Sequence, residues 1–287
     1  MRSAKKRLAL ASGVWLEYVE RGEGPAVILL HGYSDSLHSF DLLASLLPPD
    51  LRIIALSMRG HGGSDSPQAY DMDAFADDVA GVMDVLAIER AILVGHSLGS
   101  SVALAACSRH PDRVAGLALL GAFANYRDNA LVQGLVAEVA ALSDPVDPAF
   151  VRGFQLSTLA HPPPPTFLEA AIAESLRLPA RVWQAVSAGF MAFDPLAAAA
   201  RCTAPAIIVW GDKEELVSRS DGARLAEALG GASFVALSGL GHALHWEDPE
   251  AVAQPLRDFI ARVHAEAESA DRTATRTQPV AAASFRT

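Results

Sequence analysis

The chain has 287 residues, of which 51% are hydrophobic and 20% are charged, and its formal net charge is −10. This composition predicts a globular protein with a sizeable core, built as one large α/β domain or two small ones. The negative charge argues against binding to nucleic acid or to an anionic membrane surface, and no apolar run reaches the roughly 18 residues of a membrane helix. The two cysteines do not make a disulfide framework, and the cytoplasm is the expected location.

The first part of the chain alternates short apolar runs with segments at helical spacing. Residues 8–11 and 14–19 predict a β-hairpin. Continuous apolar runs at 26–30 and 51–56 are typical of strands that are buried on both faces of a sheet, and each is followed by a predicted helix. These two helices are expected at 36–47 and 73–86.

A serine stands between a predicted strand and a predicted helix, in the segment Gly95-His96-Ser97-Leu98-Gly99. The apolar residues before it predict a buried strand, and the alanine-rich run after it predicts a helix. Glycines two positions on either side of the serine let neighbouring backbones approach the turn closely. This G-x-S-x-G pattern is typical of a nucleophile elbow, so Ser97 is the predicted nucleophile.

A nucleophilic serine also needs backbone N–H groups that bind the oxyanion formed when it attacks a carbonyl. The amide of Leu98 opens the helix after the elbow and supplies the first of these groups. The second is expected in the loop after the first long parallel strand, where Gly32 allows a tight turn and Tyr33 follows. The predicted oxyanion hole therefore consists of the backbone amides of Tyr33 and Leu98.

The alternation of strands and helices stops at about residue 122. A buried strand is predicted at 114–120, but from 122 to 201 the sequence is alanine-rich, helical in pattern and interrupted by prolines. Strands resume at 206–210 and 233–237, and an amphipathic helix is expected at 249–264. We therefore predict an α/β core of residues 1–121 and 202–264, a helical cap of residues 122–201, and a disordered tail at 265–287, where small polar residues prevail.

The general base and its carboxylate partner are expected after later strands, because the chain order in sheets of this type is serine, acid, histidine. His242 follows the last predicted strand and is the predicted base, and His245 is its one serious rival. The loop after the preceding strand offers three acids, and spacing alone does not choose among them: Asp212, Glu214 and Glu215.

Five motifs carry a family resemblance: HGYSDS, RGHGGSD, GHSLG, WGDKEELV and GHALHWEDPE. Together they resemble the α/β-hydrolase superfamily, in its serine-nucleophile branch with a helical cap, over about residues 14–263. The resemblance implies an eight-stranded, mostly parallel sheet with helices on both faces, and no cofactor or metal. The family's triad acid stands three residues after the glycine of the WG turn, which is Glu214 here. Most members are similar but carry aspartate there, and Asp212 stays an alternative.

These residues predict a serine esterase or lactonase that acts on a small, partly apolar molecule. In this reaction Ser97 attacks a carbonyl, His242 takes its proton, and Glu214 orients His242. Similar sequences also host carbon–carbon bond hydrolysis, amide cleavage and cofactor-free peroxidation, since a fold does not fix a reaction. A third hypothesis is a small-molecule receptor that uses the cap as a lid and turns over little. No nucleic-acid or membrane partner is expected.

Overall fold

The computed structural model describes residues 4–277. Its strands are β1 (Lys6–Ala9), β2 (Trp15–Arg21), β3 (Ala26–Leu30), β4 (Arg52–Ser57), β5 (Ala91–His96), β6 (Val114–Leu120), β7 (Ala206–Gly211) and β8 (Ser233–Leu237). They form one sheet in the order β1-β2-β4-β3-β5-β6-β7-β8. Strand β2 runs antiparallel to β1 and β4, and the other neighbours are parallel. The predicted fold class, an eight-stranded and mostly parallel α/β sheet, is confirmed.

Helices cover both faces of this sheet and the edge at which the parallel strands end. The helices are α1 (Asp41–Ala44), α2 (Met72–Val85), α3 (Leu98–Arg109), α4 (Ala130–Ala140), α5 (Pro148–Ser157), α6 (Pro165–Ser175), α7 (Ala180–Ala192), α8 (Pro195–Ala199), α9 (Arg219–Ala228), α10 (Leu244–Glu247) and α11 (Pro249–Thr277). None of the helices in the described part of the chain is both long and apolar enough to cross a membrane.

The alternation of side chains along the central strands explains why helices lie on both faces. In β3, Val27 and Leu29 belong to a buried cluster that includes residues of α1 and α11. Ile28 and Leu30 point to the opposite face and belong to the cluster that includes residues of α2 and α3. Successive side chains of a strand point to opposite faces, so an uninterrupted apolar run requires cover on both sides.

Five helices, α4 to α8, lie between β6 and β7, and the described chain has no strand there. They contact the loop that follows β3: the hydroxyl of Tyr33 donates a hydrogen bond to the carbonyl of Trp183 in α7, at 2.5 Å. The amide of Gln155 in α5 and the hydroxyl of Ser175 in α6 also reach this loop. These helices therefore lie over the carboxyl ends of the parallel strands, where ligands bind in open α/β sheets.

Two helical segments differ from the expectations. The segment at 36–47 contains a 3-10 turn at Leu37–Phe40 followed by the short α1, which ends at Ala44. The disordered tail expected from residue 265 is wrong as far as Thr277, because α11 continues to that residue. Alanine, glutamate and arginine recur in this stretch, and these strong helix formers extend the helix where a reading of polarity alone predicts disorder. The rest of that tail, 278–287, lies outside the described residues.

Candidate active site

The turn that presents Ser97 is strained and depends on its glycines. Ser97 lies between the end of β5 and the start of α3 with φ +52° and ψ −114°, a conformation that L-residues rarely adopt. Its amide donates to the carbonyl of Leu120 at 2.9 Å, which ties the turn to the neighbouring strand. A Cβ on Gly95 would collide with the backbone of Gly99, and a Cβ on Gly99 would collide with the carbonyl of Leu30. The strand and helix can therefore meet at this sharp angle only with glycine at both positions.

His242 and Glu214 meet beside this turn. Nδ1 of His242 donates a hydrogen bond to Oε2 of Glu214 at 2.6 Å, and both side chains are buried. The other carboxylate oxygen, Oε1, accepts the backbone N–H groups of Leu216 at 2.7 Å and Val217 at 3.1 Å. Three donors thus hold the carboxylate in one orientation. A proton on Nδ1 leaves Nε2 as the nitrogen with a free lone pair, which is the tautomer that a general base needs.

The other acid of this loop makes different contacts. Asp212 accepts the amide of Gly239 at 2.6 Å and the hydroxyl of Ser238 at 3.0 Å, and these hydrogen bonds lower the pKa of its carboxyl. The structure therefore brings His242 together with Glu214, while Asp212 holds the turn after β8. Glu215 is exposed.

The rival histidine, His245, points elsewhere. Its Nε2 lies 3.1 Å from the hydroxyl of Ser39, and burial lowers the pKa of its imidazole to about 3. The side chain is fully buried and stays neutral at physiological pH. In the described structure His245 packs behind His242, against the ring of His96, and does not line the cavity beside Ser97.

Ser97 and His242 line one cavity with Tyr33 and Leu98. Within the described residues, the Ser97 hydroxyl forms no hydrogen bond with the imidazole, a spacing that is common in enzymes without substrate. The amides of Tyr33 and Leu98 donate to no other described residue. Both are therefore available as donors, as the predicted oxyanion hole requires. The roles of these residues stay predictions.

Aromatic and aliphatic side chains from α4, α5 and α7 form the roof of this cavity. They include Leu135, Phe154 and Phe190. The cavity volume is about 50 Å³, and an open pocket of about 360 Å³ lies beyond its wall. Leu135, Phe154 and Leu216 line both spaces and therefore separate them.

The sequence analysis missed a buried polar group at the same cavity. Asp35 accepts hydrogen bonds from Nε2 of Gln155 at 3.1 Å and from the hydroxyl of Ser39 at 3.3 Å. Burial raises the pKa of its carboxyl to about 6. An acid two positions after Tyr33 in the HGYSDS motif was a signal that could have pointed to Asp35. No local signal marks Gln155, which is far from Asp35 in the chain.

His96, the residue before the nucleophile, fixes the position of the His242 loop. Its Nε2 donates to the carbonyl of His242 at 3.0 Å. Burial holds the pKa of its imidazole well below the ordinary value, so the ring is neutral. Gly32 is required here, because a Cβ would lie 2.7 Å from Nδ1 of His96. Within the described residues, no cluster of three or more His, Cys, Asp or Glu could hold a metal ion.

Comparison with known proteins places this arrangement in a family. The family model for the alpha/beta hydrolase fold matches residues 25–249. The chain is 28% identical over 265 residues to 2-(acetamidomethylene)succinate hydrolase of Mesorhizobium japonicum, covering 86% of this chain and 92% of that protein. It is 29% identical over 242 residues to pimeloyl-[acyl-carrier protein] methyl ester esterase of Neisseria meningitidis, covering 82% and 93%.

Solved structures give the same result. A thermophilic esterase from Thermogutta terrifontis superimposes with a TM-score of 0.81 at 24% identity, over 91% of this chain and all of that one, which is a likeness of fold. An esterase from Rhodococcus superimposes with a TM-score of 0.78 at 26% identity, over 90% of this chain and 99% of that one. The relatives are hydrolases, and the chain belongs to the α/β-hydrolase family.

Proposed function

We propose that the protein is a serine hydrolase that cleaves a carboxylic ester or lactone of a small, partly apolar molecule through an acyl-enzyme intermediate. The observation that carries this proposal is the buried 2.6 Å hydrogen bond between Nδ1 of His242 and Glu214, beside the cavity that both His242 and Ser97 line. A serine hydroxyl is a weak nucleophile until a base removes its proton. The elbow and this base therefore support each other as parts of one site.

In the proposed reaction, Nε2 of His242 takes the proton of Ser97 as Oγ attacks the substrate carbonyl. The negative charge that develops on the carbonyl oxygen is stabilised by the amides of Tyr33 and Leu98, and the imidazolium by the carboxylate of Glu214. The protonated His242 then gives its proton to the leaving alcohol. Water, activated by the same imidazole, attacks the acyl-enzyme and releases the acid, which regenerates the serine.

Labelling with a fluorophosphonate, followed by mass spectrometry of the modified peptide, tests the nucleophile without knowledge of the substrate. We expect the label on Ser97, and we expect ester hydrolysis to fall to the background rate in Ser97→Ala. Ser45→Ala removes an exposed hydroxyl outside the cavity and should keep both properties. Hydrolysis of short-chain esters by purified Ser97→Ala at the wild-type rate would refute the proposal.

A second reaction on the same residues is amide cleavage. It is favoured by the 28% identity to a hydrolase named for an acetamido compound. A panel of matched esters and amides with the same acyl group distinguishes the two. Ester turnover with inert amides supports the esterase, whereas comparable turnover of both supports an amidase.

A further inference from the structure

Among the described residues that line the cavity, Asp35 supplies a carboxyl group, which is not that of the proposed triad. Asp35 stands two residues after Tyr33, and its side chain lines the same space as Ser97 and His242. A Cβ added to Gly32 would lie 3.0 Å from Oδ2 of Asp35 and 2.7 Å from Nδ1 of His96. The carboxyl group and the imidazole of His96 therefore both lie beside Gly32.

The hydrogen bonds that Asp35 makes do not exhaust its capacity. Gln155 donates to Oδ1 at 3.1 Å and Ser39 donates to Oδ2 at 3.3 Å, the second a long bond for a hydroxyl donor. An ionised carboxylate has about four acceptor positions. The backbone of Gly32 also contributes a hydrogen bond to the carboxyl. Cap helix α5 thus supplies one donor and the core two, which leaves an acceptor position for a group in the cavity.

Among the groups around this carboxylate, His242 favours its charged form, but burial outweighs that effect. None of the described residues that line the cavity is lysine or arginine. His96 and His245 are both neutral, since burial lowers the pKa of His96 well below its usual value and that of His245 to about 3. Burial raises the pKa of Asp35 to about 6, because it outweighs the hydrogen bonds to the carboxyl and the charge of His242. The group is therefore ionised at pH 8. Such a group attracts a donor or a cation and repels an anion.

We propose that Asp35 is a specificity-determining residue that accepts a hydrogen bond from a hydroxyl or ammonium group of the substrate and excludes substrates with a carboxylate close to the scissile ester. This inference rests on the proposed esterase function and names its substrate class. The remainder of the cavity is mostly aromatic and aliphatic, so the substrate combines an apolar body with one donor beside the reacting carbonyl. The class differs from the dicarboxylate for which one of the relatives is named.

Four methyl esters of similar size test the wild-type enzyme at pH 8. Methyl butanoate is apolar, methyl 3-hydroxypropanoate carries a hydroxyl, β-alanine methyl ester carries an ammonium, and monomethyl succinate carries a carboxylate. We expect kcat/KM for the hydroxyl and ammonium esters to exceed that for monomethyl succinate by at least about tenfold, the usual effect of a hydrogen bond to a charged group. Butanoates of propanol, ethylene glycol and glycolate test the apolar, hydroxyl and carboxylate groups on the alcohol side. Equal rates within both series would overturn the proposal.

Substitutions at Asp35 assign the selectivity to this residue. In Asp35→Leu, kcat/KM for the hydroxyl and ammonium esters should fall by about tenfold relative to that for methyl butanoate, because the acceptor is lost. Asp35→Asn keeps an acceptor, so it should retain the hydroxyl ester, lose the ammonium preference and hydrolyse monomethyl succinate about tenfold faster than wild type. Asp73→Asn, which removes an exposed carboxylate distant from the cavity, should leave the ratios unchanged. If Asp35→Leu keeps the wild-type ratio of kcat/KM for the hydroxyl and ammonium esters over methyl butanoate, Asp35 is not the residue that determines this selectivity.

Two controls separate the possible failures. Fluorophosphonate labelling of Ser97 in each variant reports an intact nucleophile, so labelled wild-type enzyme with no discrimination contradicts this inference and leaves the proposed function standing. Unlabelled Ser97 together with an active Ser97→Ala contradicts the proposed function itself. Where the Asp35 variants do not fold, Gln155→Met serves instead, because it keeps the carboxylate and should keep the preference for a donor. Loss of that preference in folded Gln155→Met would contradict the proposed role of Asp35. Equal wild-type kcat/KM values for esters with and without a donor would also contradict it.

Discussion

Asp35→Asn removes a buried negative charge with almost no change in side-chain size, and we expect it to stabilise the protein at neutral and alkaline pH. Asn can offer its oxygen to Gln155 and its amide to Ser39, so these two hydrogen bonds of the carboxyl are retained. The effect of the substitution is therefore mainly the removal of an ionisable group. Its size depends on how strongly the folded protein resists ionisation of Asp35.

The magnitude follows from the two pKa values of the group. Burial raises the pKa of Asp35 from 3.8 to about 6, so the folded state favours the protonated form. The stabilising contribution of that proton is complete below pH 3.8 and is lost as the pH rises past about 6. An ionised Asp35 at pH 8 then costs the folded state about 3 kcal/mol relative to the protonated group. Between pH 5 and pH 8 the advantage of the asparagine variant should grow by about 1.5 kcal/mol.

Urea unfolding of both proteins at several pH values measures this change. Taking the difference between variant and wild type at each pH cancels the titration of every group that does not interact with Asp35. Asp73→Asn, at an exposed position, supplies the control and should show no comparable trend. A difference that is constant from pH 5 to pH 8 would refute the reasoning, since it would mean that the cavity does not raise the pKa of Asp35.

Three further substitutions test the site and its walls. Glu214→Gln keeps the shape of the side chain but favours the wrong tautomer of His242, so kcat should fall by about 10³–10⁴ with a nearly unchanged circular dichroism spectrum; a loss below about tenfold would remove Glu214 from its proposed role. Gly99→Ala pushes a methyl group into the carbonyl of Leu30 and should prevent folding or greatly reduce the midpoint of thermal unfolding. Gly134→Ala on α4 meets no atom within 4 Å and should fold normally, and equal stability of the two variants would contradict the argument. Leu216→Ala removes part of the wall between the cavity and the outer pocket, so the ratio of kcat/KM for octanoate esters over butanoate esters should rise. An unchanged ratio would show that the acyl chain does not extend into the outer pocket.

The sequence predicts the core of the fold well because its signals are local. Uninterrupted apolar runs mark the buried parallel strands, and the glycines around Ser97 are demanded by backbone contacts within a few ångströms. The relative order of serine, acid and histidine follows from the topology of such sheets. Each of these features can be read without knowing how distant segments meet.

The remaining features depend on contacts that no local pattern encodes. The loop after β7 contains three acids, and the path of its backbone decides which of them contacts His242. That path places the amides of Leu216 and Val217 where they donate to Glu214. The pairing of Asp35 with Gln155 is of the same kind, because its two members come from the core and from a helix inserted between β6 and β7. The extension of α11 reverses a prediction based on polarity, since helix propensity prevailed there.

Glu214 and Asp35 are buried carboxyl groups near the same reaction site, and their surroundings differ. Glu214 receives two backbone amides and Nδ1 of His242, donors that fix its orientation. The hydrogen bonds to Asp35 offset only part of the effect of burial, so its charge is costly while the cavity holds no further donor. A substrate that brings a hydroxyl or ammonium group recovers part of that cost on binding, whereas a carboxylate adds to it. Groups that destabilise the folded state concentrate at functional sites in natural proteins. The buried charge of Asp35 lowers the free energy of unfolding, and a bound substrate donor reduces that destabilisation, which favours such a substrate over one without a donor.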